Sequence, residues 1–170
     1  MSNLSIFQDP ASFEHGQRVA KALATSDIVP KAYQGNVANT LVALNMANRI
    51  GADPMIVMQN LNIIHGRPSW SSSFLISSIN TSGRFGSLRY KKENLGMIPY
   101  NGKEIENLAC TAYAKDLDGE ILEGSRITIK MAIAEGWYTK SGSKWPTMPD
   151  QMLMYRAASF FSRTYCPEIT

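Results

Sequence analysis

The chain has 170 residues, 44% hydrophobic and 18% charged, with a formal net charge of +3. That length suits about one domain and that apolar content builds a packed core, which excludes a disordered chain, richer in charge and poorer in Leu, Ile, Val and Phe. The mild positive charge permits nucleic-acid binding without requiring it. No apolar run approaches the roughly 18 residues of a membrane helix, so no membrane partner is expected. The N-terminal stretch is polar and includes Glu14 and Arg18, unlike a signal peptide. Cys110 and Cys166 lie outside any CxxC or Cys/His cluster, so the expected setting is a reducing cytoplasm with both thiols as small buried apolar groups.

In chain order, residues 1–12 read as a loose start and Phe13 to Leu23 as weakly helical, closed by Pro30. Asn36 caps a predicted helix through Arg49, with Val37, Thr40, Leu41, Ala43, Leu44 and Ala47 on its apolar face and Gly51 as its stop. Asp53-Pro54 restarts a short helix to about Asn60. The period then changes. Leu61 to Ile64, a tight turn at His65-Gly66-Arg67, and Pro68 to Trp70 read as a small hairpin. Ser71 to Ser78 reads as a helix ending near Gly83. Three strands follow, Phe85 to Lys92, Leu108 to Lys115 and Glu120 to Ile127, with Asp118-Gly119 as a two-residue hairpin signal. A short helix over Thr128 to Glu135, a Gly/Ser/Lys loop over Tyr138 to Pro146, and a final helix from Pro149 to Tyr165 complete the chain. The expected class is α+β: N-terminal helices, a small β-hairpin and a three-stranded antiparallel meander packed with a long C-terminal helix.

Catalytic chemistry finds little support. His15 and His65 are the only histidines, so a His-rich metal site is excluded, and His65 beside Gly66 reads as a turn residue. Asp116, Asp118 and Glu120 imitate the start of a calcium loop, but Ile127 stands where the twelfth-position Glu is required. Gly96 to Lys103 approaches a phosphate-binding loop, but five residues separate Gly96 from Gly102-Lys103 and Glu104 follows where Ser or Thr would hold magnesium. No ATP hydrolysis, cofactor, metal or enzymatic role is expected.

Cations beside aromatics are what the chain does offer. Arg126 to Cys166 holds six cations against two anions, a local excess greater than the net charge of the whole chain. Trp137, Tyr138, Lys140, Lys144 and Trp145 share one loop, Arg156, Ser159 and Arg163 share one helical face, and Arg84, Arg89, Lys91 and Lys92 mark the first meander strand and its approach. Single-strand binders combine such charges for phosphates with rings for base stacking. Against this, Lys and Arg on strands and loops are commonly solvated surface, and Trp137 or Trp145 reads equally as core.

Four collinear stretches resemble the RecT/Redβ family of phage single-strand annealing proteins: Leu44 to Pro54 (LNMANRIGADP), Trp70 to Gly83, Ala109 to Gly119 (ACTAYAKDLDG) and Ser143 to Arg163 (SKWPTMPDQMLMYRAASFFSR). The likeness covers about Ala32 to Pro167. It implies a Rad52-like core over 31–170, with 1–30 a helical or loose segment for oligomer contacts, joined by the region near Trp70. It implies an oligomeric ring or filament that binds single-stranded DNA and the annealed duplex without ATP during homologous recombination. A phage exonuclease or a host single-strand binding protein would be a further partner, and the setting would be the cytoplasm of a bacterial host, with a phage or prophage gene. DNA contacts are then expected at Arg84, Arg89, Lys91, Lys130, Lys140, Lys144, Trp145, Arg156 and Arg163. Two departures lower the expected groove charge: Asp150 and Gln151 stand where a family member has two adjacent cations, and Gln34 where it has a Lys. The alternative is a phage structural or protein-interaction module without DNA activity. A nuclease is disfavoured because the acidic residues are scattered rather than clustered around a metal site.

Overall fold

The structure is a computed structural model that describes residues 6–64 and 66–169. It is α+β, with helices and antiparallel sheets gathered into two compact units, the first running to Ser71 and the second starting at Ser72.

The first unit is built on local signals. Pro10 opens α1 (Pro10–Ala24), and the Asp9 side chain accepts from the Ser12 amide at 2.9 Å. Asn36 caps α2 (Val37–Ile50), accepting from the Asn39 amide at 3.0 Å, and Gly51 ends it in the left-handed region at φ 67°. Asp53 caps α3 (Pro54–Asn60), accepting from Met55 and Ile56. β1 (Leu61–Ile64) and β2 (Arg67–Trp70) pair antiparallel from Leu61↔Trp70 to Ile64↔Arg67. His65, read as a turn residue, lies outside the described residues. Val29, Tyr33, Ala43, Ala47, Val57, Met58 and Leu61 form the main core of this unit. The buried Tyr33 hydroxyl donates to the Leu61 carbonyl at 2.8 Å, so its burial leaves no orphan polar group.

The second unit begins with α4 (Ser72–Thr81) and continues into a sheet of β3 (Arg89–Tyr100), β4 (Lys103–Lys115), β5 (Ile121–Glu123) and β6 (Ile127–Thr128). The first meander strand starts four residues later than the sequence suggests and runs eight further. Phe85 makes only an isolated bridge with Asp116 and buries its ring against Phe161 instead. The strand continues because Asn101 and Gly102, both at positive φ (49° and 74°), turn the chain tightly into β4. The stretch resembling a phosphate loop is therefore part of a hairpin. One extra residue near Leu95-Gly96 forms a bulge, shifting the register between Asn94 and Met97.

The third expected strand is split in two. β5 and β6 both pair with β4, and between them the Gly124 amide donates to the Ala112 carbonyl at 2.8 Å. A Cβ at Gly124 would come within 3.3 Å of both that carbonyl and the Phe161 backbone, so a side chain there would require the strand or the helix to give by a few tenths of an ångström. The Asp116 carboxylate, accepting from the Asp118 and Glu120 amides, organises the preceding turn, which is longer than a two-residue loop.

Beyond β6, α5 (Ile129–Ala134) starts at the cap Thr128, and α6 (Pro149–Tyr165) is followed by a 3-10 turn, Pro167–Ile169. Leu153, Ala157 and Phe161 of α6 share a core with Cys110, Ala112 and Ala114 of β4 and with Ile127. Small residues along β4 allow the helix backbone to approach the sheet closely. Both cysteines are buried and unbonded. Among the described residues, no helix is long and apolar enough to cross a membrane.

Candidate nucleic-acid interface

Helical geometry sets the first group of cations. Leu153, Ala157 and Phe161 turn α6 toward the sheet. At about 100° per residue, Arg156 and Arg163 fall within roughly 20° of each other, on a flank about 110° round the helix from the centre of that buried face. Arg163 is exposed and Arg156 half-buried. The Arg156 guanidinium lies 3.9 Å from the Trp137 ring centroid, a close cation–π stack. Burial, and then the neighbouring Arg163 charge, hold its pKa below the usual arginine range.

Trp137 is fixed in turn. Its ring meets Trp145 at 5.9 Å and Phe160 at 6.5 Å, and its carbonyl accepts from the Ser143 hydroxyl at 2.7 Å. Trp145 is only 3% exposed and belongs to the core. Its ring, expected among the DNA contacts, packs on its surroundings and in this structure has no face open to a base. It serves instead as the anchor of the loop. The Lys140 carbonyl accepts from Ser143, and the Lys144 carbonyl from Thr147 and Met148, so successive turns hold the backbone while both lysine side chains stay exposed.

A second group lies on the sheet. In the β3–β4 register, Arg89 is opposite Tyr113 and Lys91 opposite Thr111, the face that alternates away from Cys110, Ala112 and α6. Both cations are exposed. Lys92, pointing the other way, meets Asp150 of α6 at 3.1 Å. Asp150 thus both adds a negative charge and neutralises a strand cation. On the Arg89 face, Arg126 lies 3.9 Å from Glu93, a pairing that depends on tertiary placement and is not legible in residue order.

The expected residues therefore do not form one cluster. Lys140, Lys144, Arg156 and Arg163 belong to α6 and the loop before it, whereas Arg89 and Lys91 are on the far face of the sheet. Lys130 is exposed on the first turn of α5, where its amide donates to the Asn107 side chain at 3.0 Å. Arg84 is engaged in structure: its guanidinium pairs with Glu168, donates to the Tyr165 carbonyl at 3.1 Å and lies over the Phe85 ring. It ties the end of α6 to the chain entering the sheet.

The rings also differ from the expected stacking platform. Of the 16 Phe, Trp and Tyr residues, Phe7 alone is exposed, and it packs 6.1 Å from Phe13 in the first unit. Tyr138 is paired with Tyr100 at 5.2 Å, and Tyr165 packs on Phe161. Interleaving of aromatics and cations along the loop suggested rings facing a ligand, but Trp145 is buried and Trp137 and Tyr138 pack half-buried against the core, while Lys140 and Lys144 are exposed. Among the described residues no group of three or more His, Cys, Asp or Glu could hold a metal ion. Comparisons with protein-family models, curated proteins and solved structures found no match.

Proposed function

We propose that this chain binds single-stranded DNA by its phosphates and anneals complementary strands without ATP, as an oligomer built on a Rad52-like core of the RecT/Redβ type. The sequence resemblance supports this reading, and one observation carries it on the structural side. Lys140, Lys144 and Arg163 are exposed on α6 and the loop before it, where Arg156 stacks on Trp137, and none of the four has an acidic partner among the described residues, while the neighbouring rings pack against the core. A surface of this kind attracts a backbone and leaves bases unstacked on protein, which suits a strand that must test a second strand for pairing. Neutralising both backbones removes their mutual repulsion, and base pairing supplies the driving force. Exposed apolar residues of the first unit, including Val42, Ile56, Ile63 and Ile64, support self-association.

Binding of a fluorescent oligothymidylate across a salt series tests the reading. Full engagement of four cations gives a log–log salt slope approaching about −3, since each single-strand phosphate contact contributes about −0.7. Arg163→Glu and Lys144→Glu should each weaken binding for every base sequence alike and make the slope shallower. Unchanged affinity in both variants would remove this surface from the function.

A further inference from the structure

Arg84 and Arg156 show two ways of holding a guanidinium. Arg84 meets a carboxylate, which neutralises its charge, and a carbonyl, which takes a second of its donors. Arg156 has no carboxylate partner among the described residues and rests on the face of Trp137 at 3.9 Å. All five guanidinium N–H groups lie in the plane of the group. The indole under the guanidinium carbon restricts the side chain without cancelling its charge. Trp137 can act as a firm support because Trp145, Phe160 and the Ser143 hydroxyl already hold it.

We propose that Trp137 is a positioning residue: it holds Arg156 in a half-desolvated, preoriented state that presents its in-plane donors to a phosphodiester. The inference rests on the phosphate-binding reading above and adds to it a residue that itself makes no contact with the strand. Preorientation lowers the ordering cost of binding. Half-burial and the adjacent Arg163 charge both disfavour the unliganded cation, so an arriving anion relieves a repulsion already present. Lysine cannot substitute, because a point-like ammonium lacks the planar stack and the two-donor edge.

The test is a double-mutant cycle on oligothymidylate affinity at fixed salt, with thermal melts run alongside. Trp137→Leu should weaken binding about two- to fivefold, the range for one exposed to partly buried cation–π contact. Trp137→Phe should keep most of the affinity. Arg156→Lys leaves ring packing alone and keeps the charge, yet should weaken binding at least as much as Trp137→Leu. In an Arg156→Ala background, Trp137→Leu should have no further effect on affinity. If Trp137→Leu weakens binding equally with and without Arg156, or lowers only the melting temperature, Trp137 is packing alone and the proposal is overturned. If Arg156→Lys binds as well as the parent, planar presentation is overturned even should Trp137→Leu fail to fold. A parent chain that binds no oligonucleotide at low salt overturns the functional reading itself, a result distinct from a parent that binds with an inert Trp137.

Discussion

Tyr90 on β3 carries the one buried side-chain polar atom without a hydrogen-bond partner among the described residues, its hydroxyl. Burial pushes its pKa up to about 12, with Cys110 and Tyr155 adding to the effect, and burial likewise pushes the Cys110 thiol up to about 11. Both folded values lie above the ordinary ones of 10.0 and 9.0, so the fold favours the protonated forms. The associated stability is fully present below about pH 9 and is lost as pH rises through about 11 to 12. Urea midpoints should accordingly fall across this alkaline window. Tyr90→Phe removes a hydroxyl that makes no bond, so at neutral pH it should be neutral or stabilising by about 1 kcal/mol, with a smaller alkaline loss. A clear loss of stability in Tyr90→Phe at pH 7 would mean that the hydroxyl has a partner. Trp145→Ala has the opposite expectation. Removing a core indole should cost about 3–5 kcal/mol in denaturant unfolding and release the loop carrying Lys140 and Lys144.

Among the elements, those set by their own ends were legible in the sequence. Asn36, Gly51, Asp53-Pro54 and Pro149 mark helix boundaries because capping and stopping are local chemistry. Asp53→Ala, which orphans the Met55 and Ile56 amides, should cost about 1 kcal/mol in a thermal or denaturant melt. No change would mean those amides are satisfied otherwise. The β3–β4 hairpin was less legible, although its Asn101-Gly102 signal is a strong one. The bulge beside Leu95-Gly96 interrupts the alternation on which strand reading depends, and Gly96, Pro99 and Gly102 gave the run the look of a loop. The break at Gly124 could not be read, since it arises from close approach to Phe161, 37 positions along the chain. The site divides in the same way. Spacing alone put Arg156 and Arg163 on one helical face. The inward turn of Trp145, the capture of Arg84 by Glu168 and the neutralisation of Lys92 by Asp150 depend on tertiary partners that residue type does not reveal.

Across the second unit, cations occupy two surfaces, one on α6 with its preceding loop and one on the sheet face bearing Arg89 and Lys91. We propose that the first neutralises phosphates and leaves bases free, so that strand pairing proceeds without a nucleotide cofactor. The most direct measurement is the rate at which two complementary labelled oligonucleotides anneal in the presence of the protein, without nucleotide, across a salt series. The expected result is acceleration that fades as salt rises, weakens in Arg163→Glu and Lys144→Glu, and does not depend on base composition beyond the pairing itself. No acceleration at any salt, with no binding to either strand at low salt, would contradict it.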